Sequence, residues 1–565
     1  MVVSHDSQSN GTAVNGDAPN GAHSGTIDCD VIIVGGGFSG MTALHKARKL
    51  GLTAKIFEEG TDFGGVWYWN RYPGARVDSE APFYQLSIPE VTKDWYYSQR
   101  FPDHTELRKY MAHIDKVLDL RKDTYFNAQV IGAEFDTKKA LWTVKTSAGH
   151  VARGKYIIIA TGLLHKKYLP EFPGMGDYKG ELYHSGAWPE NLSVKGKRVG
   201  IIGTGATSVQ IVQELAKEAD TLTNFMRRPS YCVPAGNRPL TIQEQKEQKG
   251  LLHALFKAGR QSFVGIPVLG TVPGKSVLDA TPEEREEAFE IGWNRGGAGL
   301  NSCGYTDILT DKKANRIVYD FWRKKVRARM TDPVKMDLMA PAEPPYWYGT
   351  KRQPLEEDYY ECIDMPHVEV VDLNAAPLQH FTEKGILTAD GKEREFDVIA
   401  LATGFESYTG SIVNMGLLNK DGIDLKDLWK DGIKSYLGIL INGFPNAFMV
   451  YSPQAPTSLS NGPTILECQL DYVFAAIEKL EKEHAKSIEP TPEAQDEWKK
   501  TVLATTEGSL IPLTNSWWTG ANIPGKKAEL VTFCHGIENY EKEILKTLDS
   551  WKGFDIVHES VVPLE

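Results

Sequence analysis

The chain has 565 residues, of which 41% are hydrophobic and 24% charged, and its formal net charge is −11. That length exceeds what one hydrophobic core holds, so the sequence predicts two or three domains of ordinary globular composition. The net negative charge, with no basic face in the sequence, makes a nucleic-acid partner an unexpected one. No apolar run reaches the length of a membrane span, so we expect no membrane partner.

The six cysteines are scattered, and no two of them form a Cys-x-x-Cys pair. This spacing predicts neither a metal site nor a redox-active disulfide, and reduced thiols are typical of a cytoplasmic protein. Residues 1–27 are rich in Ser, Asn and Gly and lack the apolar core of a secretory signal. We therefore predict that they form a disordered tail.

The first structural unit along the chain is a predicted βαβ unit. Its strand, helix and second strand are predicted at Asp28–Val34, Met41–Leu50 and Ala54–Glu58. A glycine-rich turn at 35–40 joins the first strand to the helix. This order is typical of a domain that binds a dinucleotide, with the phosphates at the start of the helix.

The residues of this first glycine turn fit a specific role. Gly35, Gly37 and Gly40 match the G-x-G-x-x-G pattern, in which small residues admit a pyrophosphate and a closely packed helix. Glu58 lies 23 residues after Gly35, where a carboxylate accepts hydrogen bonds from a ribose. The alternative is a glycine turn in an α/β domain that binds no nucleotide.

A second βαβ unit begins with the strand Arg198–Gly203, followed by a helix near 209–218 and a strand near 222–226. Its predicted nucleotide-binding turn consists of Gly203, Thr204, Gly205, Ala206, Thr207 and Ser208. Ser208 takes the third glycine place, where a small residue is tolerated.

The end of the second strand differs between the two units. Arg227 lies 24 residues after Gly203, at the place that Glu58 takes in the first unit, and Arg228 follows it. A cation there suits a 2′-phosphate, which a carboxylate would repel. We therefore predict FAD at the first turn and NADPH at the second. The alternative is a solvated basic pair on the surface.

The predicted fold class is α/β, with two Rossmann-like dinucleotide-binding domains and a helical insertion. The capping box Thr281–Glu284, with a proline at the first helical position, supports helices in the insertion. The predicted segments are a tail at 1–27, the FAD-binding domain at 28–165 and 396–565, the NADPH-binding domain at 166–235 and 341–395, and the insertion at 236–340.

Two further segments are rich in aromatic and polar residues. The first, GGVWYWNRYPGARVD, runs from Gly64 to Asp78 and is called here the aspartate segment. The second, YKGELYHSGAWP, runs from Tyr178 to Pro189 and is called the linker, because it lies between the two glycine turns.

Together these segments resemble the signatures of the type I Baeyer–Villiger monooxygenases. The linker matches the family pattern F-x-G-x-x-x-H-x-x-x-W-P at Gly180, His184, Trp188 and Pro189, with Tyr178 in place of Phe. The aspartate segment matches a second family pattern without a gap, and the resemblance covers the chain from about Asp28 to the C-terminal region. Related enzymes that oxidise nitrogen or sulfur usually end the linker pattern with Phe or Tyr.

The resemblance implies an enzyme in which NADPH reduces FAD and dioxygen then gives a flavin peroxide that converts a ketone into an ester or lactone. It implies that Arg352 is the catalytic cation, that Asp78 pairs with it, and that Lys351 joins Arg227 at the 2′-phosphate. From the residues alone, Lys351-Arg352 is equally typical of a surface dibasic pair, and Asp78 of a turn-capping aspartate.

The same resemblance assigns the remaining candidates. The linker residues are implied to couple movement of the NADPH-binding domain to the flavin site, whereas the residues alone allow a buried histidine beside a core tryptophan. The implied flavin contacts are Gly65, Trp67, Tyr84 and Val130, and Trp517 is implied to close over the nicotinamide. Thr457, Ser458 and Leu459 align with the loop that borders the ketone pocket, in a segment that departs from the family sequence.

Two other functions compete with this one. A heteroatom monooxygenase of the same fold would oxidise sulfides or amines, and Trp188-Pro189 and Arg352 favour the ketone enzyme over it. A flavin-binding module without enzymatic activity would need neither the second glycine turn nor Arg227.

Overall fold

The computed structural model describes residues 25–267 and 274–559. Two five-stranded parallel sheets form the centres of two α/β domains, as the sequence predicts. Such sheets need helices on their faces, and their central strands are buried, apolar runs. Val31–Val34, the strand before the first glycine turn, follows this rule throughout, and Arg198–Ile202, before the second turn, follows it after its half-buried arginine.

The first domain is built on the sheet that contains Val31–Val34. The order of its strands is Ala447–Met449, Tyr156–Ile159, Val31–Val34, Ala54–Phe57 and Thr124–Tyr125. A second sheet of this domain has the order Ile27–Asp28, Val151–Gly154, Leu141–Thr146 and Val130–Asp136. The helices of the domain and its C-terminal region are Phe38–Lys49, Val66–Trp69, Pro89–Thr92, His104–Leu118, Gly410–Val413, Leu425–Leu428, Gly462–Lys482, Pro492–Ala504 and Gly536–Leu545.

The second domain is built on the sheet that contains Arg198–Ile202. Its strand order is Val368–Asp372, Thr221–Met226, Arg198–Ile202, Val398–Leu401 and Glu181–His184. The helix Ala206–Leu215 follows the second glycine turn and is called here the nucleotide helix; Tyr359–Asp364 packs against it. The smaller strands are Leu378–Phe381, Gly385–Thr388 and Glu393–Glu395 in one sheet, Val233–Pro234 with Leu355–Glu356, and Ala485–Pro490 with Phe554–His558.

The two glycine turns have the same backbone geometry. Gly35 and Gly203 have φ angles of +105° and +122°, which strain any residue with a Cβ. A Cβ at Gly35 would lie 2.6 Å from the carbonyl oxygen of Ala160, and one at Gly203 would lie 2.4 Å from that of Ala402. Each turn therefore lies directly against the residue that follows a neighbouring strand of its sheet.

Several predicted boundaries are wrong. The first strand begins at Val31 rather than Asp28, and its helix begins at Phe38 rather than Met41. Val398–Leu401 pairs with Arg198–Ile202, so the chain leaves the second domain after Leu401 and not at 396. Ile27–Asp28 pairs with 152–153, so the predicted tail cannot extend to residue 27; its first 24 residues lie outside the described residues.

Five helices occupy the described part of the predicted insertion: Ile242–Lys249, Leu252–Arg260, Pro282–Arg295, Lys312–Arg327 and Pro333–Met339. The capping box at Thr281 and Glu284 is present. The first helix does not pack as an insertion within the second domain, however. Gln245 bonds to the backbone N–H and carbonyl of Tyr97, and Lys249 donates to the carbonyl oxygens of Thr92 and Trp95, all in the first domain. Across residues 25–267 and 274–559, every helix is too short or too polar for a transmembrane span.

Candidate active site

A cavity of about 1270 Å³ lies between the two domains. Both glycine turns line it, and so do Glu58, Asp78, Arg352 and Trp517. A dinucleotide at each turn would therefore open into one shared space. That arrangement allows one nucleotide to react with the other while a third molecule is held beside them.

The first turn fits the adenine dinucleotide of FAD. The helix Phe38–Lys49 begins without a side-chain cap and without an acidic residue in its first turn. By contrast, the Asp103 side chain caps the helix His104–Leu118. The first N–H groups of Phe38–Lys49 are thus available to a pyrophosphate. The Glu58 carboxylate accepts N–H bonds from Gly36 and Gly60 at 2.5 and 2.6 Å, and burial raises its pKa despite these bonds.

The other predicted flavin residues lie around this turn. A Cβ at Gly65 would lie 2.9 Å from the Cα of Gly37, so the aspartate segment approaches the turn closely. Trp67 donates its indole N–H to the Tyr84 hydroxyl at 3.0 Å, and both line the cavity. Val130 also lines the cavity, whereas Gly40 packs inside, where a Cβ would lie 1.9 Å from the carbonyl oxygen of Gly35.

The second turn has the same open helix start. The nucleotide helix begins after Gly205 with no side-chain cap, and apart from its two chain neighbours no described residue comes within 4 Å of the position that a Cβ would take at Gly205. Thr204 donates its hydroxyl to the Arg228 carbonyl at 2.6 Å, while Ala206 and Thr207 line the cavity. Ser208 is buried and accepts from Asn224, so it supports the turn from inside.

Three cations lie at the end of the strand after the second turn. Arg227 and Arg228 are exposed and line the cavity together with Lys351. None of the three forms a salt bridge with a carboxylate in the described part of the chain. Burial, and then the charges of Arg228 and Arg227, lower the pKa of Lys351 to about 8. This group of cations suits a bound phosphate, because it lacks a protein anion.

Arg352 and Asp78 form a bidentate ion pair across the two domains. Arg352 Nε lies 2.5 Å from Asp78 Oδ2, and Nη2 lies 2.6 Å from Oδ1. Nη1 donates to the Ser458 carbonyl at 2.9 Å. Burial opposes the charge of Arg352, but the Asp78 carboxylate outweighs it and holds the arginine pKa above its ordinary value. The guanidinium is thus a permanent cation with a fixed orientation.

The linker lies outside the cavity. Tyr178 donates to the Phe396 carbonyl at 2.9 Å, and a Cβ at Gly180 would lie 2.2 Å from the Tyr178 hydroxyl oxygen. Trp188 is buried beside Tyr183, and Pro189 ends the segment. The linker therefore contacts the second domain and does not line the cavity.

His184 connects the linker to Gly404 and Phe405, which follow the strand Val398–Leu401 where the chain leaves the second domain. The N–H of Gly186 donates to His184 Nδ1 at 3.0 Å, so Nε2 carries the proton and donates to the Gly404 carbonyl at 2.9 Å. Burial lowers the pKa of His184 to about 4, and the ring is neutral near pH 7. Its ring also packs edge-on against Phe405, with the centroids 5.3 Å apart.

The predicted pocket loop contributes unevenly to the cavity. Thr457 lines it, and Ser458 contributes its carbonyl oxygen to Arg352. Leu459 packs against the core of the first domain and does not line the cavity, because the loop turns inward there; Ser460 lines it instead. Trp517 lines the cavity and stacks on Tyr408 at 5.5 Å.

Sequence reasoning missed several residues of the cavity and of the contacts around it, among them Tyr451, Gln353, Gln210 and Gln213. Tyr451 and Gln353 line the cavity, and neither amide atom of the buried Gln353 has a partner among the described residues. Gln210 and Gln213 lie on the nucleotide helix and bond to other segments. Both glutamines lie on a helix that starts at a nucleotide-binding turn, and this position in the sequence could have indicated that they contact other parts of the site.

The family model described as "FMO-like: Flavin-binding monooxygenase-like" matches residues 28–235. The chain is 42% identical to the FAD-binding monooxygenase acrE of Aspergillus aculeatus, over 95% of this chain and 90% of that protein. It is 38% identical to cyclopentanone 1,2-monooxygenase of Comamonas sp., over 93% of this chain and 96% of that protein.

Solved structures agree with these matches. The structure of cyclohexanone monooxygenase from Rhodococcus sp. Phi1 bound to NADP⁺ superposes with a TM-score of 0.91 at 33% identity, covering 95% of this chain and all of that one. The similarity of this chain to these proteins, in sequence and in fold, thus extends over nearly its full length. The chain belongs to the type I Baeyer–Villiger monooxygenases of the flavin-binding monooxygenase-like family.

Proposed function

We propose that this chain uses FAD, NADPH and dioxygen to convert ketones into esters or lactones. The observation that carries this function is the Arg352–Asp78 pair, held in the cavity that both glycine turns line. The relatives named for cyclopentanone and cyclohexanone, and the bound NADP⁺ in one of them, support it. Bound FAD, once reduced by NADPH, supplies the oxygen-transferring chemistry.

The chain's own residues would bind the two nucleotides, orient the ketone and stabilise the charge that develops during the reaction. Arg352 places a permanent positive charge in the cavity, where it would stabilise negative charge that develops on oxygen during the reaction, and Asp78 fixes its direction through two bonds. We propose that the first turn, Glu58, Gly65, Trp67, Tyr84 and Val130 hold FAD. We propose that the second turn, Arg227, Arg228 and Lys351 hold NADPH, that Trp517 closes over its nicotinamide end, and that Thr457 and the Ser458 backbone border the ketone.

Binding of NADP⁺ should weaken as the pH rises above 8. Lys351 has a pKa of about 8, so its ammonium is present below that pH and is lost above it. At pH 9 about a tenth of it remains charged, which predicts a Kd for NADP⁺ up to about tenfold higher than at pH 7. The 2′-phosphate stays fully charged over this range. Titration at both pH values checks this, with NAD⁺ and Lys351→Gln as controls that should show little pH dependence.

Replacing His184 with alanine should uncouple NADPH oxidation from ester formation. The variant loses the bond to Gly404 and the contact with Phe405, both just after the strand Val398–Leu401, where the chain leaves the second domain. We expect a severalfold lower ratio of ester formed to NADPH oxidised, with more hydrogen peroxide, because domain placement affects water exclusion. Tyr183→Phe, on the same strand, should keep the parental ratio. An unchanged ratio in stable, FAD-loaded His184→Ala would assign His184 a structural role only.

The function is tested by mixing the FAD-loaded protein with NADPH, air and a panel of linear, cyclic and bulky polycyclic ketones, with product identification. Ester or lactone formation supports the proposal. A matched sulfide, such as a methyl aryl sulfide, tests heteroatom oxidation. Sulfoxide formation without any ester would overturn the ketone assignment.

We also propose a cytoplasmic location, which the six unpaired cysteines support.

A further inference from the structure

The nucleotide helix is bonded to the aspartate segment through one glutamine side chain. Gln210 Oε1 accepts from the Tyr72 hydroxyl at 2.8 Å, and Gln210 Nε2 donates to the Arg76 carbonyl at 3.1 Å. The backbones also meet here, because a Cβ at Gly74 would lie 2.5 Å from the Gln210 carbonyl oxygen. One amide thus bonds to both Tyr72 and Arg76 in the segment that leads to Asp78, and Arg76 is only two residues before Asp78.

A second glutamine of the same helix holds the segment that carries the other half of the ion pair. Gln213 Oε1 accepts from the backbone N–H groups of Glu357 and Asp358, at 2.7 and 3.2 Å. These residues lie shortly after Arg352 in the chain. The nucleotide helix therefore contacts both segments whose charged side chains meet in the cavity.

Another contact of the aspartate segment, with the chain just after the linker, is weaker. Arg71 of the aspartate segment pairs with Glu190, just after the linker, but the Glu190 side chain is 59% exposed. An exposed ion pair contributes little, since water and salt screen it. Tyr72 and Gln210 are both buried, so their bond has no comparable competition from water.

We propose that Gln210 is a positioning residue that couples occupation of the second glycine turn to the placement of Asp78, and through it of Arg352. The start of the nucleotide helix faces the cavity with its N–H groups uncapped, and the Gln210 amide lies one turn further along. A nucleotide that fixes the helix also fixes Tyr72 and Arg76. The inference rests on the proposed NADPH site and gives that site a second task, which is to hold the catalytic ion pair in its reactive geometry.

Hydrogen–deuterium exchange of the FAD-loaded protein, with and without NADP⁺, tests the coupling directly. In the parent, NADP⁺ should slow exchange in residues 72–78. In Gln210→Ala this protection should disappear while the Kd for NADP⁺ stays within about threefold, since the Gln210 side chain lines the cavity but bonds to Tyr72 and Arg76 and not to the glycine turn. The ratio of ester to NADPH oxidised should fall roughly fivefold, within the usual range for lost couplings.

Three variants separate positioning from folding. Tyr72→Phe keeps the bond from Gln210 to Arg76 but removes the Tyr72 hydroxyl, which bonds to Gln210 and also to Thr207 of the second glycine turn, and it should give an intermediate loss of protection. Gln210→Glu keeps an acceptor for Tyr72 but cannot donate to the Arg76 carbonyl, so it should not restore the full coupling. Glu218→Gln, an exposed change just beyond the same helix, should behave as the parent.

Unchanged NADP⁺-dependent protection of 72–78 in folded Gln210→Ala would overturn the inference. The inference would also be overturned if Gln210→Ala lost this protection together with a fall in melting temperature while Tyr72→Phe retained full protection. The exchange measurement needs no ketone. A parent protein that forms no ester would therefore count against the proposed function, while the exchange result would still decide the coupling.

Discussion

Arg352→Ala should abolish ester formation while FAD stays bound. Both charges of the Arg352–Asp78 pair line the cavity, and alanine at 352 leaves the Asp78 carboxylate there without its partner. Removal of one preorganised donor to a developing anion typically costs about 10²- to 10³-fold in rate, and a full charge should reach the upper part of that range. The first turn and Glu58 are untouched, so the flavin absorbance per protein should equal that of the parent.

The measurement is ester formed per enzyme per second at saturating NADPH and ketone, with melting temperature as the folding check. Arg352→Lys keeps the charge but cannot form the two parallel bonds to Asp78, so it should be intermediate. Asp78→Ala should cost less than Arg352→Ala, and the double variant should be no worse than Arg352→Ala alone, because Asp78 acts through the arginine. Ester production near the parental rate in Arg352→Ala would remove Arg352 from the catalytic role.

The strands next to the glycine turns could be predicted because burial on both faces leaves a plain mark in the sequence. Val31–Val34 and residues 199–202 are short apolar runs followed by glycines. The errors at their ends also have a physical cause. Periodicity marks burial, whereas a helix begins where its first N–H is free, so Phe38 and Ala206 inside the turns already belong to the helices.

Sheet membership and site geometry depend on contacts between distant residues, which no local pattern records. Val398–Leu401 is apolar enough for either sheet, and only its pairing with Arg198–Ile202 assigns it to the second. Lys351 and Arg352 are neighbours in sequence, yet one contacts the Tyr346 ring near two arginines and the other contacts Asp78. A dibasic pair in a sequence cannot show this division, and the resemblance to the family was needed to predict it.

The inward turn of the pocket loop illustrates the same limit. Thr457, Ser458 and Leu459 are consecutive, but one lines the cavity, one contributes its backbone carbonyl and one packs in the core. The aligned positions predicted a shared role for all three. Their division follows from the buried hydroxyl of Ser458, which bonds to Thr532, and this bond directs the backbone rather than the side chain toward Arg352.

The second large effect is expected at Arg227, where alanine should weaken NADPH binding and spare NADH. Arg227 is exposed at the end of the strand Thr221–Met226, and the Asn374 side chain holds its backbone carbonyl. Its guanidinium has no carboxylate partner within residues 25–267 and 274–559, so its charge remains available to a 2′-phosphate. Loss of one charge-assisted hydrogen bond, about 1.5–3 kcal/mol, predicts a Kd for NADPH roughly 10- to 100-fold higher.

The measurement is the Kd or KM of the two nucleotides for Arg227→Ala, Arg227→Lys and Lys392→Ala. Lys392 is exposed in the same domain and does not line the cavity, so its removal changes the net charge equally without touching the phosphate. Lysine at 227 should recover part of the preference, because it restores the charge but not the planar fork of donors. High salt should weaken NADPH binding in the parent more than in Arg227→Ala, since the variant has lost one of the charges that salt screens. Equal effects of Arg227→Ala on NADPH and NADH, or an equal effect of Lys392→Ala, would show that Arg227 acts only as a surface charge.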